Sequence, residues 1–419
     1  MNDPNEPLFL ELEVGSMAAG GGCVARDPDG RVVFVRHALP GERVRARVSA
    51  TTSKFRRADA IEVLEASVER VTPPCPHAGP GRCGGCDFQH IALPAQRALK
   101  AGMVAEQLRR VAGVELDVVV EAVPGDADGL GWRTRVRMAI DADGHPGFYR
   151  HRSHDIVAVG QCPITHPAAL ATGALEATWE GAEQIEVATD GGRSVVSVHA
   201  RRSATPVLPT DEQVRAGLVV NGKVARQPPS TVMQVDGLPY RVTAGVFWQV
   251  HAGAAAVLGD AVLEALDPHE GESAVDLYAG AGLFAVLLGQ RVGERGAVLA
   301  IERDAKACRD ARHNARHLPQ VRVHEGSVTP RLVADRIGKP DSLVLDPARE
   351  GAGTEVMGSL AARPGRLRAV AYVSCDAASF SRDVRVLLDA GWSMPLLRAF
   401  DLFPMTEHVE LVATLTPPG

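Results

Sequence analysis

Seven cysteines are the first residues that could do chemistry: Cys23, Cys75, Cys83, Cys86, Cys162, Cys308 and Cys375. An odd, partly clustered set without a basic leader segment argues for metal or catalytic use over a disulfide framework. Cys375 stands in Ser374-Cys375-Asp376, where the apolar run RAVAYV ends and a helical pattern begins. A helix N-terminus favours the thiolate, as a nucleophile needs. Cys83-x2-Cys86, with Cys75 upstream and Pro and Gly around them, puts three thiols on one loop that can wrap a single centre. Cys162, in VGQCPI, is the best candidate for a fourth ligand because it too ends a strand before a proline. Four thiolates suit zinc or a [4Fe–4S] cluster, and spacing alone does not choose.

The elements that must position these groups are best defined between Ser273 and Glu302. Ala274-Val275-Asp276 meets a turn containing Gly280 and Gly282, apolar residues follow at helical spacing, and a second apolar run closes on Glu302, which predicts a β-α-β unit. Such glycines permit a tight turn and close approach of a ligand, and an acid ending the next strand suits a ribose diol. The pattern is DxYxGxG with no GK[ST] after it, which excludes a P-loop and disfavours a dinucleotide-phosphate site. The alternation continues through VRVHEGSV, LVADRI and DSLVLDPAREG, so Asp346 and Arg349 should face the same crevice as Gly280 and Glu302.

Ahead of this unit, short apolar strands and turns from about Pro7 to Ala66 predict a small β-barrel. Between Arg43 and Arg57 it carries Arg43, Arg45, Arg47, Lys54, Arg56 and Arg57 with no acid, a phosphate-binding face or a solvated one. Pro94–Ala112 reads as an amphipathic helix and GWRTRVRMAIDADGHPGFYRHRSHDIVAV as a hairpin. Arg133, Arg135 and Arg137 alternate along one face of that hairpin, with Tyr149, Arg150 and Arg152 on its return strand, an arrangement suited to an RNA backbone. ALATGALEATWEG reads as helix, and the turn at Asp236-Gly237 suggests a boundary near residue 235.

The 419 residues suggest two or three domains. A net charge of −6 confers no nucleic-acid affinity by itself, so local patches must decide that question. No apolar run reaches the roughly 18–20 residues of a membrane span, and a cytoplasmic protein is expected.

The Gly-rich turn resembles the first motif of the Rossmann-like S-adenosylmethionine methyltransferases, and LPGERVRARV resembles a TRAM domain, an oligonucleotide-binding-like barrel found on RNA-modifying enzymes. Gly-Val-Phe-Trp-Gln, DLYAGAG, DPAREG, VSCD and FPMTEHVE, in that order, resemble the RNA 5-methyluridine methyltransferase family over essentially the whole chain. The resemblance implies an α/β fold: a TRAM-like RNA-binding barrel over residues 7–66, an α+β central domain with an iron–sulfur loop over 67–235, and a class I methyltransferase domain over 236–419. Carried over by position, Cys375 matches the nucleophile and Glu410 the general base. Gln249, Tyr278, Gly280, Glu302 and Asp346 match the binding site for S-adenosyl-L-methionine, and Cys75, Cys83, Cys86 and Cys162 the ligands of a [4Fe–4S] cluster. The chain departs from the family in a longer spacing between Cys75 and Cys83, and in His251 where Asn usually follows FxQV.

The chemistry accounts for these residue types. Uracil C5 is too weak a nucleophile to take a sulfonium methyl until a thiolate adds at C6, and a base must afterwards remove the C5 proton. The target base must also leave its stack to reach such a cysteine. The expected partner is an RNA, ribosomal or transfer, with no membrane, no DNA and a monomeric enzyme. Two alternatives remain: an RNA cytosine-C5 methyltransferase, which typically carries Pro-Cys rather than Ser-Cys-Asp, and a catalytically silent RNA-binding protein, which would have no need of Cys375 and Glu410.

Overall fold

The computed structural model describes residues 8–125, 128–202, 204–363 and 367–418. The expected start of the barrel at Pro7 lies outside the described residues.

The N-terminal sheet has five strands in the spatial order Phe9–Glu13, Arg43–Thr51, Phe55–Glu65, Val32–Arg36 and Cys23–Arg26. Beyond its first strand the chain crosses the seam: Gly15 N–H donates to Val24 O at 2.8 Å and Val24 N–H to Ser16 O at 2.9 Å, closing the sheet on itself. Alternation in RVRARV drives this, since Val44 and Ala46 are buried in the barrel core while Arg43, Arg45 and Arg47 point outward.

A seven-stranded sheet follows, ordered Lys223–Arg226, Gly217–Val220, Ser194–Ala200, Ala182–Thr189, Arg135–Ile140, Pro146–Tyr149 and Ile156–Ala158. ALATGALEATWEG is not a helix there. Only Pro167–Leu170 is helical, because Gly173 takes φ +76° and Thr172 Oγ1 donates back to Ala169 O. A separate hairpin, Ser230–Val235 with Leu238–Thr243, straddles the boundary expected at residue 235.

The C-terminal sheet has eight strands: Val321–Glu325, Ala297–Glu302, Ser273–Leu277, Ser342–Leu345, Ala369–Ser374, Glu410–Thr416, Ser393–Phe400 and Val120–Glu121. The first five run parallel, and Glu410–Thr416 enters antiparallel. Runs such as SLVL and AVAYVS are buried throughout because helices cover both faces. Ala254–Leu266 and Leu283–Val292 pack on one face, Thr354–Ala361 and Ala377–Asp389 on the other. The last strand departs from the sequence division. Val120–Glu121, expected in the central domain, pairs with Ala399–Phe400 and extends the C-terminal sheet. The helix before it, Leu93–Gln107, with its π-helical extension Leu108–Ala112, puts Val104, Leu108 and Ala112 into the same core.

Candidate active site

In parallel sheets, ligands gather at the carboxyl ends of strands. Five adjacent strands deliver the expected site residues to that edge in spatial order. Ala297–Glu302 ends on Glu302, Ser273–Leu277 runs into Tyr278 and Gly280, Ser342–Leu345 into Asp346, and Ala369–Ser374 into Cys375. The antiparallel neighbour starts on Glu410 at the same edge, with Leu411 opposite Ser374 in the register.

The Gly-rich turn is held by acids from both strands. Gly280, at φ +53°, donates its N–H to Glu302 Oε2 at 2.9 Å, and Glu302 Oε1 accepts the Asp304 N–H at 2.7 Å. A Cβ at Gly280 would meet nothing within 4 Å, so space lies open over the turn. Beneath it Asp276 is fully buried; its Oδ2 accepts the Ala285 N–H at 2.8 Å, while its Oδ1 has no partner. Burial pushes the Asp276 carboxyl well above its ordinary range. Tyr278 adopts φ +66°, and burial raises its phenol to about 12.

Gln249 joins the site from the loop before the Ala254–Leu266 helix, its Nε2 donating to Asp346 Oδ2 at 3.4 Å. Burial raises Asp346 to about 7. Glu410, 3% exposed, is pushed well up, first by burial and then by the Asp346 charge.

Cys375 is half-buried, and its thiol is pushed up to about 12 by burial and then by Glu410 and Asp346, with Arg349 acting in the opposite sense. The thiolate expected from the helix N-terminus is therefore not the resting form. Asp376 is the N-cap of Ala377–Asp389 and takes the Ser379 N–H at 2.8 Å, so a carboxylate already occupies the helix start.

Several residues that hold the site carry no sequence motif. Asp383 Oδ2 accepts from Ala352 N–H at 2.7 Å, Gly353 N–H at 3.1 Å and Tyr372 O–H at 2.7 Å, which fixes the loop after Asp346. Ser379 Oγ donates to Arg349 O at 2.8 Å and ties that loop to the helix that follows Cys375. Arg349 Nη2 lies 2.9 Å from His408 Nε2. The helical spacing of Asp383 was readable, but not its use.

Cys75, Cys83, Cys86 and Cys162 converge on one cavity, lined also by Phe148, Val159, Ile164 and Arg133. All four are free thiols. Burial and neighbouring thiols raise Cys75, Cys83 and Cys86, the last to about 12, and Arg133 opposes this at Cys83 and Cys86. No three of these sulfurs lie within 4.8 Å of one another among the described residues. Arg133, expected on an RNA-facing row, thus belongs to the cysteine cavity. Arg135 is buried and bonds Glu186 Oε1 at 2.5 Å, and exposed Arg137 bonds Glu186 Oε2 at 3.0 Å. On the barrel, Arg43 pairs with Glu65 at 2.8 Å, Arg45 with Glu62 at 3.8 Å and Arg56 with Asp27 at 2.6 Å. Three of the six cations in that row are thus paired with acids brought in from outside it, Glu65 and Glu62 from the adjacent strand and Asp27 from the turn after Cys23–Arg26.

Residues 10–61 match the TRAM domain family. An RNA methyltransferase of Streptomyces avermitilis is 44% identical, the alignment covering 97% of this chain and 98% of the relative. The 23S rRNA (uracil(1939)-C(5))-methyltransferase of Chromohalobacter salexigens is 32% identical over 97% of this chain and 89% of its own. In fold, the chain is similar to Pyrococcus abyssi tRNA (uracil-54, C5)-methyltransferase in complex with S-adenosyl-L-homocysteine, with TM-score 0.73 and 23% identity over 97% of this chain and 99% of that one.

Proposed function

The chain belongs to the RNA methyltransferase family that includes the 23S rRNA uracil-C5 enzymes, and on that premise we propose how its residues methylate C5 of a uridine in RNA, with Cys375 as nucleophile and Glu410 as base. The observation that carries this reading is the alignment of Glu302, Gly280, Asp346, Cys375 and Glu410 along five adjacent strand ends.

The open space over Gly280, the acid at Glu302 and the unpartnered Asp276 Oδ1 fit S-adenosylmethionine, which Gln249, Tyr278, Gly280, Glu302 and Asp346 would hold. When bound, it supplies an electrophilic sulfonium methyl. Cys375 gives its proton to solvent and adds to C6 of the flipped uracil, and the electron pair displaced from the C5–C6 bond leaves C5 able to take the methyl. Glu410 then removes the C5 proton; the C5–C6 double bond re-forms and the C6–S bond breaks, returning the cysteine. A carboxylate pushed up by burial is a stronger proton acceptor than an ordinary one, which suits a carbon acid. Cytosine-C5 chemistry is disfavoured by the uracil specificity of the Chromohalobacter salexigens relative and by Ser374 in place of proline.

The four-cysteine cavity is best read as the seat of a [4Fe–4S] cluster. A single zinc ion at Zn–S distances near 2.3 Å needs sulfurs roughly 3.8 Å apart. The wider arrangement here favours a larger centre, and Arg133 would offset its negative charge.

Cys375→Ala and Glu410→Gln separate the two roles. Incubated with RNA and labelled S-adenosylmethionine, Cys375→Ala should give neither turnover nor adduct. Glu410→Gln should accumulate an RNA–protein adduct that carries the methyl group and survives denaturation. Normal turnover by Glu410→Gln, or an adduct from Cys375→Ala, would overturn the assignment. Mapping 5-methyluridine in ribosomal and transfer RNA from cells lacking the gene identifies the substrate, with 23S rRNA expected from the relatives.

A further inference from the structure

The loop Asp401–Val409 connects the strand ending at Phe400 to the one starting at Glu410, and those two residues face each other in the ladder. Whatever fixes this loop fixes the approach of Glu410. The helix Leu93–Gln107, which follows the cysteine loop, holds it from the side. The inner face of that helix carries two polar residues with no exposed surface, Gln96 and Lys100, one turn apart.

A buried amide or ammonium is costly unless its polar atoms are used. Gln96 uses both ends of its amide. Its Oε1 accepts the Met405 N–H at 2.9 Å, and its Nε2 donates to Phe88 O at 3.1 Å and Ile91 O at 2.9 Å. The Phe88 N–H in turn donates to Met405 O at 2.9 Å, so Met405 is gripped at both backbone groups while at φ +67°. Lys100 Nζ donates to Asp401 Oδ1 at 2.6 Å and to Phe403 O at 3.0 Å. Phe88 lies two residues beyond Cys86, and its neighbour Gln89 accepts the Cys75 N–H at 3.0 Å. The bracing therefore runs from the cysteine loop through Gln96 to the loop that ends at Glu410.

We propose that Gln96 is a positioning residue for Glu410, and that through it the cysteine loop forms part of the mounting of the base. This rests on the reading of Glu410 as the proton acceptor. Gln96 touches neither RNA nor methyl donor in this account. Its loss should spare Cys375 addition and methyl transfer and slow the step that depends on Glu410.

The test uses full-length protein, an RNA containing the mapped uridine and labelled S-adenosylmethionine. For Gln96→Ala, turnover should fall by about ten- to a hundredfold, the scale on which misplacement of a reacting group acts. KM for RNA and affinity for S-adenosylmethionine should not change, and the methylated, denaturation-resistant adduct should build up as it does in Glu410→Gln. A second variant, Thr406→Val, weakens the loop from within, because Thr406 Oγ1 donates to Phe403 O at 2.7 Å and accepts the His408 N–H at 3.3 Å. It should give the same adduct and covers the case in which Gln96→Ala does not fold. If Glu410→Gln traps the adduct while the other two variants turn over normally, or lose activity without trapping it, the positioning role is overturned. If Glu410→Gln traps nothing, the base assignment falls, and the proposal with it.

Discussion

Cys375 and Asp346 show how far residue type alone determines reactivity. A cysteine between a strand and a helix is legible as a candidate nucleophile, but its resting state depends on neighbours distant in sequence. Burial, then the charges of Glu410 and Asp346 and last that of Asp376, which caps the helix, keep the thiol protonated. Asp376→Ala removes one of those charges and frees a helix N–H, which lowers the Cys375 pKa. Alkylation of Cys375 by iodoacetamide at pH 8 should therefore quicken, while loss of the cap costs about 1 kcal/mol of stability. Unchanged or slower alkylation would show that Asp376 does not hold the thiol protonated. Asp346 makes the opposite point through stability. Its folded pKa of about 7 lies above the ordinary carboxyl value, so between those values the folded chain binds a proton that the unfolded chain does not. Stability is lost as pH rises through that window. Asp346→Asn should abolish this loss, so its Tm advantage over the parent should grow from pH 4 to pH 7 and level off above. An advantage independent of pH would mean that Asp346 titrates normally.

At the scale of elements, most strands and helices were readable from period and turn residues, ALATGALEATWEG being the exception, whereas the neighbours of each face were not. Arg133, Arg135 and Arg137 do alternate, but Glu186 belongs to Ala182–Thr189, which pairs with the arginine strand from about fifty residues away. The helix over residues 94–112 was equally visible, yet its buried face includes Gln96 and Lys100 because each has a partner some three hundred residues downstream, Met405 and Asp401. These placements make different substitutions fail differently. Arg135→Ala leaves Glu186 with only the exposed Arg137, and should cost stability on the scale of about 3–5 kcal/mol for a broken buried pair, read by urea denaturation. Arg150→Ala with Arg152→Ala changes two exposed cations beside exposed Tyr149 and should leave stability alone. It should raise KM for RNA and reduce the salt slope of binding by roughly 2. A salt slope that moves with Arg135 and not with Arg150 and Arg152 would return the RNA contact to the buried row.

Across the whole molecule, motif order revealed the catalytic sheet because DLYAGAG, DPAREG and VSCD each end a parallel strand and FPMTEHVE leads into the antiparallel strand beside them, so that parallel order brings these ends together. Domain limits were less legible, since Val120–Glu121 and the helix before it leave the cysteine region to complete the catalytic layer. The cysteine loop consequently lies between three bodies. Asp87 bonds barrel Arg36 at 2.6 Å, Cys83 bridges Arg150 of the central sheet, and Phe88 bonds Met405 of the catalytic loop. A centre holding Cys75, Cys83, Cys86 and Cys162 would fix that loop against all three, and its binding free energy would become folding free energy. Protein purified without oxygen should therefore contain iron and acid-labile sulfide, and Cys83→Ser should lose both together with several degrees of Tm. The Cys83→Ser protein should also become more sensitive to protease within residues 70–90, because the four thiols, two buried and two half-buried, line one cavity that the centre would fill. Stoichiometric zinc without sulfide would replace the cluster with a single ion. It would also require the sulfurs to draw closer than they stand here, and with them the loop that carries Phe88 to the base.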